Sequence, residues 1–421
     1  MILLPRRWLP GRHVDIADPR AVTTTNTTAE VEPRAVGLTS AAVAAIWASV
    51  VTLYETGLHP ALALTLRRHG KVVLDRALGH AKGASPVDPE GAPKVLATPS
   101  TLFNFFSASK AVTAMVIHHL DERGLLHLDD AVVEYVPEFG RHGKDRATLR
   151  HLLTHRAGIP VLRGVPVDVE LLADERRILE LLCDAEPVSV PGRRLAYHAI
   201  TGGFVLGEVV RRVTGKGLRE VLAEAFLKPL GFAHFNYGVS PALADSVAVN
   251  AFTGLRPPAP MDALLRRSLG VGAVQAAELS NARPYVTGVV PSGNIIGTAD
   301  EGCRFFEMLL REGALGGERV LEARTVRRAI AEQTYLEMDS FLGLPVRYGM
   351  GFMLGGDTFS IYGSNTGRAF GHVGFTNIIA WADPDRDLSA CLMCSGKPFV
   401  TPGQLAWLGV MRTIADRVPR G

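Results

Sequence analysis

Within this 421-residue chain a serine stands three residues before a lysine at a single place, Ser107 and Lys110 in Phe106-Ser107-Ala108-Ser109-Lys110. A serine hydroxyl is a weak nucleophile until a neighbouring base takes its proton. Residues three apart share one helical face, about 5–6 Å apart at Cβ, so a helix beginning at Ser107 brings the pair together. The same helix start leaves the Ser107 amide without an intrahelical acceptor and with partial positive charge. That suits the oxyanion of an acyl-transfer intermediate. The flanking runs, Thr101-Leu102-Phe103-Asn104-Phe105-Phe106 and Ala111-Val112-Thr113-Ala114-Met115-Val116, are largely apolar. A lysine between them is expected to be buried, which lowers its pKa toward the neutral form a base requires. The spacing therefore offers acylation of Ser107 with Lys110 as base; a solvated helix face is the plain alternative.

The elements that must hold this pair are legible in outline. Val43, Ile46, Trp47, Val50, Val51 and Tyr54 form a helical stripe over 39–56. Ala61–Leu66 and Val72–Ala77 flank the turn Arg68-His69-Gly70-Lys71 as a hairpin. Residues 82–99 read as loop. From Ser107 the pattern is helical and strand-poor, with further helices at 149–155, 174–185, 198–213 and 218–227. After about Val286 an α/β pattern returns, with a helix at 299–312, strands at 349–354, 370–375, 378–382 and 388–395, and a terminal helix over 402–415. Residues 1–36, rich in Pro, Thr and Arg, read as an irregular arm. The segment 253–290, with Pro257-Pro258-Ala259-Pro260, reads as a long loop of functional or mobile character. The expected division is an arm over 1–36, a sheet domain from 37–100 and 286–421, and a mostly helical domain over 101–285.

Composition excludes several classes. Hydrophobic residues make up 47 % and charged residues 21 %, and the net charge of +3 comes without a basic block, so nucleic acid is not an expected partner. Met1–Pro10 lacks the apolar run of a signal peptide and no stretch reaches membrane-spanning length, which points to a soluble cytoplasmic protein without an integral membrane segment. Cys391-Leu392-Met393-Cys394 sits in a strand-like run, where thiols three apart diverge to opposite faces, and no second cysteine pair completes a zinc site. His151 and His155 have i, i+4 spacing but no intervening H-E-x-x-H glutamate. No metal or cofactor is expected.

Leu102–Ala114 resembles the nucleophile motif of the β-lactamase-related serine hydrolases, the superfamily of class C β-lactamases, D-Ala-D-Ala peptidases and family VIII carboxylesterases. The resemblance continues through Arg123–Val132, the distinctive stretch Ala147–Pro160, Pro191–Tyr197 and Phe370–Phe375, over roughly residues 40–418. It implies a β-lactamase/transpeptidase-like fold of mixed α/β type, with an antiparallel sheet flanked by helices beside a mostly helical domain. By this resemblance Ser107 is the acylated nucleophile, Lys110 its partner, and Tyr197 a phenolate-like proton carrier. The amides of Ser107 and Phe375 form the oxyanion hole, and His372-Val373-Gly374 is the third motif, with His372, Gly374 and His198 toward substrate.

Two departures redirect the expected substrate. The family's Y-x-N is Tyr197-His198-Ala199 here, and its K-T-G begins with His372. A missing amide and a mostly neutral imidazole both point from β-lactams and cell-wall peptides toward a small-molecule neutral ester or lipid. The expected function is a serine carboxylesterase or lipase. Acyl transfer to an alcohol or amine, a β-lactamase or peptidase, and a non-catalytic binding protein stand as alternatives; oligomeric state is open.

Overall fold

The computed structural model describes residues 11–165, 168–399 and 403–421. The readings made on Met1–Pro10 and on the Pro402 helix start lie outside them. The main sheet is antiparallel and built from β1 (Thr23–Thr25), β2 (Ala61–Arg68), β3 (Lys71–Lys82), β4 (Thr334–Asp339), β5 (Leu344–Tyr348), β6 (Met353–Leu354), β7 (Phe370–Gly374), β8 (Ile378–Asp383) and β9 (Leu388–Cys394). Its order is β1-β3-β2-β9-β8-β7-β6-β5-β4, with the short strand Val95–Leu96 added off β3. The expected hairpin is present. His69 and Gly70 form a two-residue loop, both at positive φ (51° and 78°), a backbone whose twist matches the flanking strands.

The main helices are α1 (Ser40–Glu55), α2 (Ser109–Glu122), α3 (Leu149–Leu153), α4 (Thr201–Thr214), α5 (Ala259–Leu269), α6 (Ala273–Leu279), α7 (Arg283–Thr287), α8 (Ala299–Leu310) and α9 (Gly403–Arg417). One sheet face packs under α1 and α9 around Ile46, Leu53, Leu64, Trp381 and Met411. The other packs on α8 and α2 around Phe105, Met115, Phe305 and Ala380. The central strands are covered on both faces, so β8 and β9 are buried throughout, as near-continuous apolar runs require. Cys391 belongs to the α8 side and Cys394 to the α1 side, the divergence a strand imposes.

Three expectations change. The arm contributes β1, which pairs with β3 from Thr23↔Leu78 to Thr25↔Arg76. The expected loop 253–290 carries α5, α6 and α7. Pro258 and Pro260 open α5, where missing donors cost nothing, and Gly270 (φ 78°) closes it. Of the strand expected over 349–354 only Met353–Leu354 forms, while β4 and β5 make an unforeseen edge hairpin with Leu336 at φ 46° and a register shift beside it. Among the described residues no helix is long and apolar enough to cross a membrane.

Candidate active site

The nucleophile segment is a turn before a helix. Asn104 Oδ1 accepts the Phe106 amide at 3.0 Å, Phe106 takes φ 47°, and a 3-10 turn over Phe106–Ala108 leads into α2 at Ser109. The helical spacing of Ser107 and Lys110 thus survives, with the α-helix proper starting two residues later than expected. Nearly all of α2 is buried, and Lys110 with it.

Lys110 Nζ lies 3.2 Å from Ser107 Oγ, 2.7 Å from the Ala199 carbonyl and 3.0 Å from the Ser292 carbonyl. Burial lowers its pKa to about 7. A neutral amine has two hydrogens and one lone pair. The two carbonyls can take the hydrogens, which leaves the lone pair for the Ser107 proton. Ser292 was invisible to the sequence reading because its role uses a backbone carbonyl. Its Oγ donates to the Ile200 carbonyl and accepts the Gly203 amide, tying the lysine's two acceptors to α4. A Cβ on Gly203 would stand 2.3 Å from that oxygen.

Tyr197 meets the Ser107 side chain, and its ring centroid is 4.8 Å from Lys110 Nζ. Burial, with Asp339 adding to it, pushes the phenol pKa well above its usual value. The expected phenolate-like tyrosine is therefore corrected to a protonated one, an O–H donor. Asp339, unmarked by any motif, is fully buried. Its Oδ1 accepts the amides of Tyr197 (3.1 Å), Phe341 (2.8 Å) and Leu342 (3.0 Å), so the β4–β5 turn clamps the tyrosine.

The stretch Ala147–Pro160 supports Tyr197 from the other side. His151 Nδ1 accepts the Thr148 amide and Thr148 Oγ1 accepts the His151 amide, a reciprocal cap on α3. His155, at φ 59°, packs at a tilt of 54° against Tyr197 with ring centroids 4.6 Å apart, and its Nδ1 accepts the His198 amide. Backbone amides thus occupy one ring nitrogen of each histidine.

His372 sits on β7 with its centroid 6.4 Å from that of Tyr197. Burial and the Lys110 charge lower its pKa to about 3, so the ring is neutral, and its Nδ1–H donates to the Val373 carbonyl at 2.7 Å. Gly374 lets β7 approach the nucleophile segment: a Cβ there would be 2.4 Å from the Phe105 carbonyl. Phe375 follows, its ring 5.6 Å from that of Phe106. His198 is brought to the cluster but turned inward. It is 1 % exposed, and Nε2 accepts the Ile159 amide at 3.2 Å. The expected substrate contact becomes a backbone support, because this polar ring is spent on an otherwise unpaired amide.

A cavity of about 90 Å³ opens on Ser107, lined mainly by apolar groups, among them Phe106, Leu172, Leu269, Val271, Leu279 and Phe375. Six of its fourteen lining residues come from the 253–290 segment. The edge 348–354 does not line it.

The beta-lactamase family model matches residues 47–412. This chain belongs to the beta-lactamase family. Esterase/beta-lactamase LipL of Mycobacterium tuberculosis (strain ATCC 25618 / H37Rv) is 28 % identical over 378 residues, 84 % of this chain and 81 % of that protein. A penicillin-binding protein homolog from Caulobacter crescentus superposes with TM-score 0.77 at 26 % identity, covering 90 % of this chain and 99 % of the other. A family VIII carboxylesterase superposes with TM-score 0.74 at 25 % identity, covering 89 % and 98 %. The protein is a serine hydrolase of this beta-lactamase family.

The buried bases of this family member also set its stability. Lys110 and Lys397 titrate at about 7 when folded and near 10.4 when unfolded. Between these values the unfolded chain binds more protons, so stability rises with pH, by about 1.4 kcal/mol per unit from each lysine. From about pH 9 the buried thiols Cys303, Cys391 and Cys394, whose pKa values burial raises, oppose this. Thermal unfolding is expected to show a higher Tm at pH 8.5 than at pH 7; an equal or lower Tm would contradict the burial of these amines as free bases.

Proposed function

We propose that the protein hydrolyses carboxylic esters of neutral, apolar acids through an acyl-enzyme on Ser107. The carrying observation is Lys110, which stands 3.2 Å from Ser107 Oγ with two carbonyls on its hydrogens. Lys110 takes the Ser107 proton as Oγ attacks the ester carbonyl. The amides of Ser107 and Phe375 receive the oxyanion. Tyr197 gives its proton to the leaving alcohol and regains one from the Lys110 ammonium. Water then enters, loses a proton by the same route, and releases the acid.

The choice of ester over β-lactam rests on chemistry around the oxyanion. Ala199 offers a methyl group and a carbonyl already used by Lys110. His372 is neutral and buried, so it presents no cation to a substrate carboxylate. The cavity is apolar and small, which suits a short acyl chain. The family VIII carboxylesterase supports the same reading, while LipL is named both an esterase and a beta-lactamase.

The deciding experiment treats the protein with a fluorophosphonate and maps the adduct by peptide mass spectrometry. Modification of Ser107 supports the reading; an unlabelled protein, or label elsewhere, refutes it. For specificity, Leu279→Ala is expected to move the kcat/KM optimum of a p-nitrophenyl ester series toward longer acyl chains, because it removes volume at the pocket wall. An unmoved optimum would take the acyl chain out of this cavity.

A further inference from the structure

A second buried lysine stands behind the oxyanion frame. Lys397 follows β9 in Ser395-Gly396-Lys397-Pro398 and is fully buried. Its Nζ donates to the Cys394 carbonyl at 2.5 Å and stands over the Phe106 ring, 4.6 Å from the centroid. Burial lowers its pKa to about 7, opposed only by the neighbouring Cys394 thiol. The Phe106 ring in turn packs on Phe375, and Phe375 on Phe399 at 6.0 Å.

The backbone it backs is unusual. Phe106 (φ 47°) immediately precedes Ser107, while Thr376 (φ 42°) and Asn377 (φ 35°) immediately follow Phe375. Three non-glycine residues in the left-handed region therefore border the two candidate oxyanion amides. Such conformations persist only where the surroundings over-determine them, and they gather at functional sites. The Asn377 side of this frame is held by His59, whose Nε2 accepts from Asn377 Nδ2 at 3.1 Å. His59 is itself buried, with a pKa lowered to about 3 by burial and by the Lys397 charge.

We propose that Lys397 is a positioning residue for acyl transfer: its amino group, seated on the face of Phe106, fixes the strained turn that aims Ser107 Oγ and the Ser107 amide. Burying an amino group is costly, and methionine of similar length would fill the same space without that cost. The aromatic face and one carbonyl receive its N–H groups and offset part of that cost. A polar group retained at a cost in stability, directly under the nucleophile turn, is what a device for function rather than for folding looks like.

This inference rests on the acyl-enzyme reading, and the experiment separates the two. Wild-type protein, Lys397→Met, Phe106→Leu and the double variant are compared for the rate of fluorophosphonate labelling and for kcat and KM on a p-nitrophenyl ester. Labelling of Ser107 in the wild type tests the reading itself and does not involve Lys397. Lys397→Met is expected to melt no lower than the wild type, yet to label about 10–100-fold more slowly and lose kcat by the same factor, with KM little changed, as expected for a misaimed nucleophile. Phe106→Leu is expected to lose a similar factor, and the double variant to be no worse than the weaker single one, since both cut one contact. An unchanged labelling rate in Lys397→Met, or losses that multiply in the double variant, would overturn the proposal. If Lys397→Met does not fold, Phe106→Leu decides: it keeps the lysine and removes the ring, and unchanged labelling there overturns it equally.

Discussion

Replacing Ser107 by alanine or Lys110 by methionine is expected to lower kcat for p-nitrophenyl esters by about 10³–10⁶-fold each, and the double variant to lose little more. Nucleophile and base act as one unit, so removing either removes nearly the whole effect. Ser107→Ala deletes one oxygen and leaves the turn at Phe106 in place. Lys110→Met deletes the amine and leaves the Ala199 and Ser292 carbonyls without its donors. Unmet buried carbonyls cost about 1–3 kcal/mol, and removal of a desolvated amine offsets part of that. The variant should therefore fold, and a thermal melt checks this before the kinetics are read. The pH profile separates the base from a structural lysine. In the wild type, kcat/KM for a neutral ester is expected to rise with pH with a midpoint near 7, the value burial gives Lys110. Below it Lys110 is an ammonium with no lone pair for Ser107. In Lys110→Met the residual activity should lose that limb. A profile unchanged in shape, or a loss under tenfold, would remove Lys110 from the role of base.

Why this pair could be read from the sequence is a matter of distance along the chain. Ser107 and Lys110 are neighbours on one helical turn, so spacing alone reports their meeting. The core runs on either side of them are equally local, and they place the lysine in the interior. Tyr197 needed more, because nothing in its own spacing brings it to Ser107; the resemblance carried it. The supports were out of reach for a different reason. Asp339 acts on the Tyr197 amide across 142 positions, and Lys397 acts on Phe106 from the far side of β9. Neither lies in a pattern, because a single carboxylate or amine is fixed by tertiary folding and not by a period.

The fold errors have equally particular causes. In 253–290 the Pro and Gly residues read as loop signals, whereas Pro258, Pro260 and Gly270 begin and end a helix of eleven residues. Breakers mark boundaries as well as gaps. The β4–β5 hairpin was missed because its outer strand is exposed at Tyr335, Leu336 and Met338, and a bulge interrupts the alternation that would have announced it. That hairpin is the element that carries Asp339. The missed hairpin and the missed support of Tyr197 are thus one event: an edge strand without clean alternation hides the residue it delivers.

Replacing Tyr197 by phenylalanine should separate proton delivery from orientation. Burial and Asp339 keep the phenol protonated at neutral pH, so its contribution is a donated hydrogen. The substitution keeps the ring, its packing on His155 and its place beside Lys110; only the hydroxyl goes. A poor leaving group such as an alkoxide must be protonated as the carbon–oxygen bond breaks, whereas p-nitrophenolate leaves unaided. Tyr197→Phe is therefore expected to lower kcat/KM for an ethyl ester by about 10²–10⁴-fold, the range of general acid catalysis, and that for the p-nitrophenyl ester of the same acid by much less. The measured quantity is the ratio of the two losses, which cancels any change in acyl binding or in the aim of Ser107. A ratio near one would mean that the hydroxyl orients the nucleophile and delivers no proton to the alcohol. The proton would then have to pass from the Lys110 ammonium directly, and the carbonyls of Ala199 and Ser292, which hold that ammonium in place, would become the groups that set its path.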